Sequence, residues 1–235
     1  MRVVLMGLAA GLLAGAVTAA KAQSVSQSVN IANKRKQEAH ARRETNASRQ
    51  ARIQRTIDET YSHRWELFGG GGYLRWRSGQ YTKKNNEVSW ATSASYYLNP
   101  KLAIVGDARG SFGDAHAIIN NTFGVYRPQI NEYFFQGGAN YRFYRKEKVA
   151  VSVQALGGTA WGIFSGGAKG LSGTQLGLWP DGFKPSFSVG INADYNIFPD
   201  LAFRFAPTYQ GTTFGGTVQN NIGFNAGVIY RFGKQ

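Results

Sequence analysis

Residues 186–197 read Ser-Phe-Ser-Val-Gly-Ile-Asn-Ala-Asp-Tyr-Asn-Ile, an unbroken alternation. Phe187, Val189, Ile191, Ala193, Tyr195 and Ile197 share one phase, and Ser186, Ser188, Gly190, Asn192, Asp194 and Asn196 share the other. Successive side chains of a strand point to opposite faces, so this stretch is a β-strand with one oily and one wet face. It is also long enough to cross a bilayer, which takes roughly 9–11 residues of tilted strand.

The same rule extends in both directions. Residues 133–143 set Tyr133, Phe135, Gly137, Ala139, Tyr141 and Phe143 against Phe134, Gln136, Gly138, Asn140 and Arg142. Residues 149–162 oppose Val149, Val151, Val153, Ala155 and Trp161 to Ser152, Gln154, Gly158 and Gly162. Residues 201–210 oppose Leu201, Phe203, Phe205 and Tyr209 to Arg204, Thr208 and Gln210, and residues 221–232 end the series with Ile222, Phe224, Ala226, Val228, Tyr230 and Phe232 against Asn221, Gly223, Asn225 and Arg231. Three earlier segments, 65–76, 88–98 and 102–112, bring the expected count to eight, with Asp107 and Arg109 on the polar face of the third. The Gly69–Gly72 run blurs the phase of the first, so Glu66 faces inward only if Phe68 and Leu74 do. Pro207 lacks an N–H to give to a neighbouring strand, which predicts a bulge there or a place near a strand end.

Alternation does not say which face points outward; connection lengths do. The links after the second, fourth and sixth segments are short, around Asn99-Pro100, Arg145-Lys146-Glu147 and Pro199-Asp200, whereas those within 113–130 and 165–184 are long. Short turns at one rim, long loops at the other, and an even strand count belong to membrane barrels, with both termini periplasmic. Aromatics gather at the two rims: Tyr96, Tyr97, Phe143, Tyr144, Tyr195, Phe198, Tyr230 and Phe232 at one, and Trp76, Trp90, Phe112, Tyr133, Trp161, Phe187 and Tyr209 at the other.

Composition agrees. Of 235 residues, 27 are basic and 13 acidic, giving a net charge of +14, and no apolar run reaches the roughly 18–20 residues of a spanning helix. Mean hydropathy is −0.32. With 32 aromatic residues (5 Trp, 12 Tyr, 15 Phe) the chain is too aromatic for disorder, and with no cysteine it has neither disulfides nor thiolate metal sites.

The amino-terminal region reads differently. Arg2, the apolar stretch Val3 to Val17 and the small-residue pattern Ala20-Lys21-Ala22 follow the order of a secretory signal, expected over 1–22. Residues 23–64 hold nine basic residues (Lys34, Arg35, Lys36, Arg42, Arg43, Arg49, Arg52, Arg55 and Arg64) against Glu38, Glu44, Asp58 and Glu59, and contain no Gly, Pro or Trp. They are expected to form a basic helical periplasmic segment, with Ile53, Ile57 and Tyr61 on one stripe. This segment is either a solvated spacer or a surface attracted to an acidic envelope component; nucleic acid is not a suitable partner for a secreted chain. Residues 65–235 are expected to be the barrel.

The region from Trp65 to Phe232 resembles the outer-membrane β-barrel domain family, the small eight-stranded barrels of the OmpA and OmpX kind. The residues that carry the likeness are the alternating strands, the turns Tyr96-Tyr97-Leu98-Asn99-Pro100 and Tyr195-Asn196-Ile197-Phe198-Pro199-Asp200, and the last strand Gly227-Val228-Ile229-Tyr230-Arg231-Phe232. The resemblance implies an all-β, eight-stranded antiparallel transmembrane barrel in the bacterial outer membrane, recognised by the barrel-assembly machinery through its last strand. Family members usually end on the aromatic residue, whereas Gly233-Lys234-Gln235 follow here.

A barrel of this size has an interior that side chains fill. Asp107, Arg109, Arg142, Asp194, Arg204 and Arg231 are the expected interior charge network; buried charges should pair, and the alternative is a narrow porin-like path for small or hydrophobic solutes. Arg77, Lys83, Lys84, Arg127, Lys169 and Lys184 are candidate contacts to lipopolysaccharide phosphates, against the acidic residues Glu87, Asp114, Glu132 and Asp181 of the outer loops. The Gly- and Leu-rich loop around Leu171, Leu176, Leu178 and Trp179 is expected to offer a contact surface. Some barrels of similar size modify lipid A with a Ser and His pair, but here His40 lies in the basic segment, His63 just before the first strand, and His116 in the long second outer loop, beside Asp114 with no serine pinned next to it on a strand; the three show no metal-ligand spacing. The chain therefore reads as non-enzymatic, without cofactor or metal, and with a structural or surface-interaction role. Lipid A modification is the less favoured alternative.

Overall fold

The computed structural model describes residues 46–80, 82–115, 124–125 and 127–234. The expected signal segment 1–22, most of the basic segment, His40 and His116 lie outside the described residues.

A helix, α1 (Asn46–Tyr61), precedes eight strands: β1 (His63–Arg77), β2 (Lys84–Tyr97), β3 (Leu102–Asp114), β4 (Gln129–Arg145), β5 (Val149–Gly166), β6 (Gly182–Asn196), β7 (Leu201–Thr212) and β8 (Gln219–Lys234). Each strand pairs antiparallel with the next, and β8 returns to β1, closing the sheet as a barrel. Closure is what hydrocarbon demands, because every backbone N–H and C=O at membrane depth must find a partner. At the seam Gly70 lies opposite Gly227. A Cβ on Gly70 would fall 2.4 Å from the Ala226 carbonyl oxygen, so the close approach of these two strands requires glycine.

The apolar phase faces outward. Val88 is 73 % exposed, and Ile104, Phe135, Val189, Ile191 and Val228 are exposed with it, while Ser93, Ser95, Gln136, Asn140, Ser188 and Asn192 of the opposite phase are buried. In water this arrangement would waste its burial; in a bilayer it is the stable one, so the barrel spans a membrane. At one end of the wall the rings of Phe112, Tyr133, Trp161 and Phe183 follow one another at 5.6–5.8 Å, and at the other Trp65 meets Tyr96 and Phe232. These are the two interfacial girdles. Trp76 and Tyr97, expected among the rim aromatics, are instead buried inside the barrel.

The turns at 98–101, 146–148 and 197–200 are short, and the connections at 115–128 and 167–181 are long. Pro207 sits in the middle of β7, away from either end. No bulge accommodates it: Gly190 pairs with Thr208 and Ala193 with Phe205 in one register, and the ladder is interrupted between them. On its other side Pro207 pairs with Phe224. The missing N–H thus removes ladder contacts to β6 without shifting either strand.

Residues Ile53–Gln235 form one compact unit. Within it, Ile53, Thr56 and Ile57 of α1 are half-buried and Thr60 and Tyr61 are buried, the one-sided pattern of a helix that packs along a single stripe. Gln54 Nε2 donates to Asp58 Oδ1 one turn on, at 2.8 Å. The described residues of the preceding unit, 46–52, are exposed helix.

Candidate functional site: the barrel lumen

The inward phase is arranged in three layers along the barrel. The layer nearest the short turns is ionic. Glu66 of β1 is 1 % exposed and accepts from Arg142 Nη2 at 2.8 Å, Arg204 Nη2 at 2.6 Å and Arg231 Nε at 2.9 Å. Asp194 accepts a two-point contact from Arg204, at 2.7 Å from Nε and 2.8 Å from Nη2, and lies 3.8 Å from Arg231 Nη2. Arg231 Nη1 also donates to Asn196 Oδ1 at 2.9 Å. Arg142 donates to the Tyr97 hydroxyl and lies over its ring, 4.3 Å from the centroid. Three guanidinium groups therefore share two carboxylates, a local surplus of one positive charge. These contacts offset part of the desolvation of the buried charges; among the described residues Arg142 Nε and Arg231 Nη2 have no hydrogen-bond partner.

Tyr61, the last residue of α1, caps this layer. Its hydroxyl donates to the Lys146 carbonyl oxygen at 2.9 Å and accepts from Asn196 Nδ2 at 3.0 Å. The guanidinium groups of Arg142, Arg145 and Arg231 lie 5.0, 5.9 and 6.0 Å from its ring centroid. Burial pushes the Tyr61 phenol above its ordinary pKa, against the Asn196 hydrogen bond and the nearby arginine charges, so it remains a neutral donor. Tyr61→Phe is expected to cost about 1 kcal/mol in urea unfolding, and Tyr61→Ala more, because it also removes the aromatic face beneath the arginines. Unchanged unfolding midpoints for both variants would show that this contact does not hold the mouth.

The middle layer is made of amides and hydroxyls. Asn192 Nδ2 donates to Asn140 Oδ1 at 3.3 Å and to Gln154 Oε1 at 2.9 Å. Gln136 Nε2 donates to Ser186 Oγ at 3.0 Å and accepts from Ser188 Oγ at 2.7 Å. Asp107 and Arg109 pair with each other at 2.6 Å and do not join the ionic layer, so the expected single network is two separate groups. The reason is depth: Asp107 registers with Gln136, a residue of the amide layer.

The third layer, beneath the long loops, has an apolar centre, with Asn85, Glu87, Ser111, Glu132 and Gln210 buried beside it. Leu74, Trp76, Ile130, Phe134, Phe164 and Phe214 pack with Leu176, Leu178 and Trp179 from the connection between β5 and β6. Trp76 meets Phe134 and Phe214 edge-on at 6.4 and 5.8 Å. The Gly- and Leu-rich loop therefore turns its apolar side chains into the mouth rather than offering them as a contact surface. Glu87 and Glu132 also lie inside, buried and, among the described residues, with no hydrogen-bond partner for their carboxyl oxygens, rather than on the outer loops.

The phase of the strands placed Arg142, Asp194, Arg204 and Arg231 in the lumen, and the structure brings them together. Glu66, Tyr97 and Tyr61 complete the group. The apolar plug was not read from the sequence; the signal for it is Phe134 and Phe164, bulky aromatics on the polar phase near the long-loop end. Of the basic residues proposed as phosphate contacts, Arg77, Lys83, Arg127 and Lys169 are exposed and Lys84 and Lys184 are half-buried, all at that same end. His63 begins β1, with Nδ1 3.2 Å from the Thr60 carbonyl oxygen, and among the described residues no serine side chain bonds to it. Among the described residues no group of three or more His, Cys, Asp or Glu is placed to hold a metal ion.

No protein-family model matches the sequence, and no curated protein matches it. Solved structures do match. Neisserial surface protein A is similar over 72 % of this chain and 97 % of its own, at 16 % identity and a TM-score of 0.51. OprG from Pseudomonas aeruginosa matches 73 % of this chain and 98 % of its own, at 11 % identity and a TM-score of 0.48. Ail of Yersinia pestis matches 73 % and 99 %, at 16 % identity and a TM-score of 0.44. The fold is that of the small eight-stranded outer-membrane barrels, and the apolar belt and girdles fit a bacterial outer-membrane location.

Proposed function

We propose that this protein is a non-conducting outer-membrane barrel with a structural or surface-interaction role in the cell envelope. The observation that carries the reading is closure of the lumen at both ends, by the ionic layer with Tyr61 on one side and the apolar plug on the other. A water-filled pore needs a continuous polar path, and the plug interrupts it. The longer outer connections and their basic residues then face the environment, where a surface role is exercised. The test is single-channel recording of the full chain in a planar bilayer, unaltered and as Arg142→Ala, Arg204→Ala and Arg231→Ala. Silent bilayers are expected in all four cases, because the apolar plug remains when the ionic layer is weakened. Discrete events from the unaltered protein would overturn the reading in favour of a narrow channel.

One observation favours a second reading, passage of hydrophobic solutes. The interrupted β6–β7 ladder at Pro207 borders an apolar groove of about 770 Å³ on the lipid-facing wall, lined by Val189, Ile191, Ile222 and Phe224. Uptake of a hydrophobic solute by vesicles that are electrically silent would support it.

A further inference from the structure

At the outer end of the barrel a pocket of about 460 Å³ lies between the tops of β1, β2 and β8 and the two connections 167–181 and 213–218. Arg77 and Lys84 contribute its positive charge, and Gln80, Thr217, Gln219 and Asn220 contribute amides and a hydroxyl. Its walls are built rather than incidental. Trp179 Nε1 donates to the Arg77 carbonyl oxygen at 2.9 Å, and the Trp179 backbone N–H donates to the Ser78 carbonyl oxygen at 2.8 Å. Gly215, with φ 79°, lets the Trp179 ring lie against the chain: a Cβ there would fall 2.1 Å from the ring. Lys84 Nζ donates to the Asn220 carbonyl oxygen at 2.8 Å, which fixes the ammonium and leaves two of its three donors for a ligand.

We propose that this pocket binds a negatively charged sugar. Two cations on neighbouring strands supply a subsite for a phosphate, sulfate or carboxylate group. Of the surrounding polar groups Gln219 Nε2 already donates to Thr217 Oγ1 and Asn220 Oδ1 accepts from the Tyr209 hydroxyl, so the Gln80 amide, the Asn220 NH₂ group and Gln219 Oε1 are the groups placed for sugar hydroxyls, and the volume far exceeds that of a bare anion. Height selects sugars over membrane headgroups. Lys84 stands six residues beyond Trp90 of the outer girdle, roughly 20 Å along the tilted strand and so roughly 15 Å in height, which opens the pocket above the girdle. The ligand is then either the phosphorylated sugar region of neighbouring lipopolysaccharide or a soluble anionic polysaccharide.

This inference rests on the reading of the barrel as a surface-interacting protein, and its test is independent of conductance. The full chain in phospholipid nanodiscs is titrated with three probes: phosphorylated core oligosaccharide freed from lipid A, dextran sulfate, and neutral dextran. At least one anionic probe is expected to bind about tenfold more tightly than neutral dextran, and Arg77→Gln or Lys84→Gln to weaken that binding about tenfold. Val218→Trp, which fills the pocket while keeping both charges, is expected to do the same, whereas Lys169→Gln, outside the pocket, is expected to have a much smaller effect. Binding of the core oligosaccharide assigns the ligand to the same membrane, and binding of dextran sulfate alone assigns it to a soluble source. Equal binding of neutral dextran, absence of any binding, or equal losses with Lys169→Gln would overturn the proposal. Channel events in a protein that keeps this binding would overturn the closed-lumen reading and leave the pocket standing.

Discussion

Glu66→Gln is expected to lower the stability of the barrel in lipid vesicles by about 3–5 kcal/mol, the usual cost of removing one partner from a buried ionic group. Glu66 faces three guanidinium groups, and its loss leaves Arg142, Arg204 and Arg231 with Asp194 as the one remaining carboxylate of the layer. Three positive charges against one replace three against two. The amide that takes the carboxylate's place keeps one acceptor but directs an NH₂ group at a guanidinium, which worsens the mismatch. Adding Arg231→Met should recover part of the loss, because it removes one of the surplus charges while preserving the volume of the stem. Urea unfolding of the single and double variants measures both effects. If Glu66→Gln changed stability by less than about 1 kcal/mol, the layer would be behaving like a solvated ion pair and the mouth would be wet.

Trp76→Ala carries the second large effect, expected at about 3–5 kcal/mol, as for other buried tryptophans cut back to alanine. Trp76 is 0 % exposed, and it joins the wall of β1 to Phe134 of β4 and to Phe214 of the connection between β7 and β8. Phe164 meets Phe214 at 5.1 Å, so one ring removed loosens contacts among three strands and a loop. The change should also reach Trp179, which shares the cluster, and shift its fluorescence toward that of a solvated indole. A variant that kept its unfolding midpoint and its emission would show that the plug is not a packed body.

Most of the wall was legible from period two alone, and stretches such as 186–197 and 221–232 allowed one phase and no other. The errors came where phase or strand length was not local information. Trp76 follows the glycine run that blurs the phase of β1, and Tyr97 adjoins Tyr96, so one of that pair had to turn inward. Continuity with Ser93 and Ser95 decides in favour of Tyr97. Glu87 and Glu132 were assigned to loops because β2 and β4 extend further than a bilayer crossing requires, to Lys84 and Gln129. The loop around Leu176 and Leu178 could not declare its direction, because its partners Trp76, Phe134 and Phe214 come from distant parts of the chain. The ionic layer was visible as a set of inward charges. Which of them pair follows from closure, since Glu66 meets Arg231 only because β1 lies beside β8.

The absence of cysteine from the sequence permits a direct test of the closed lumen. Ser93→Cys and Ser188→Cys place a thiol on the inward phase, and Val88→Cys and Lys169→Cys place one on the outer surface. Each variant is reconstituted in vesicles and exposed to a water-soluble, membrane-impermeant maleimide from both sides. A lumen sealed by the ionic layer and the apolar plug leaves Ser93→Cys and Ser188→Cys unlabelled in the folded protein, reactive after unfolding, while Lys169→Cys labels at once. Rapid labelling of the two inward thiols in the folded barrel would contradict the account, because it would mean that water runs through the lumen.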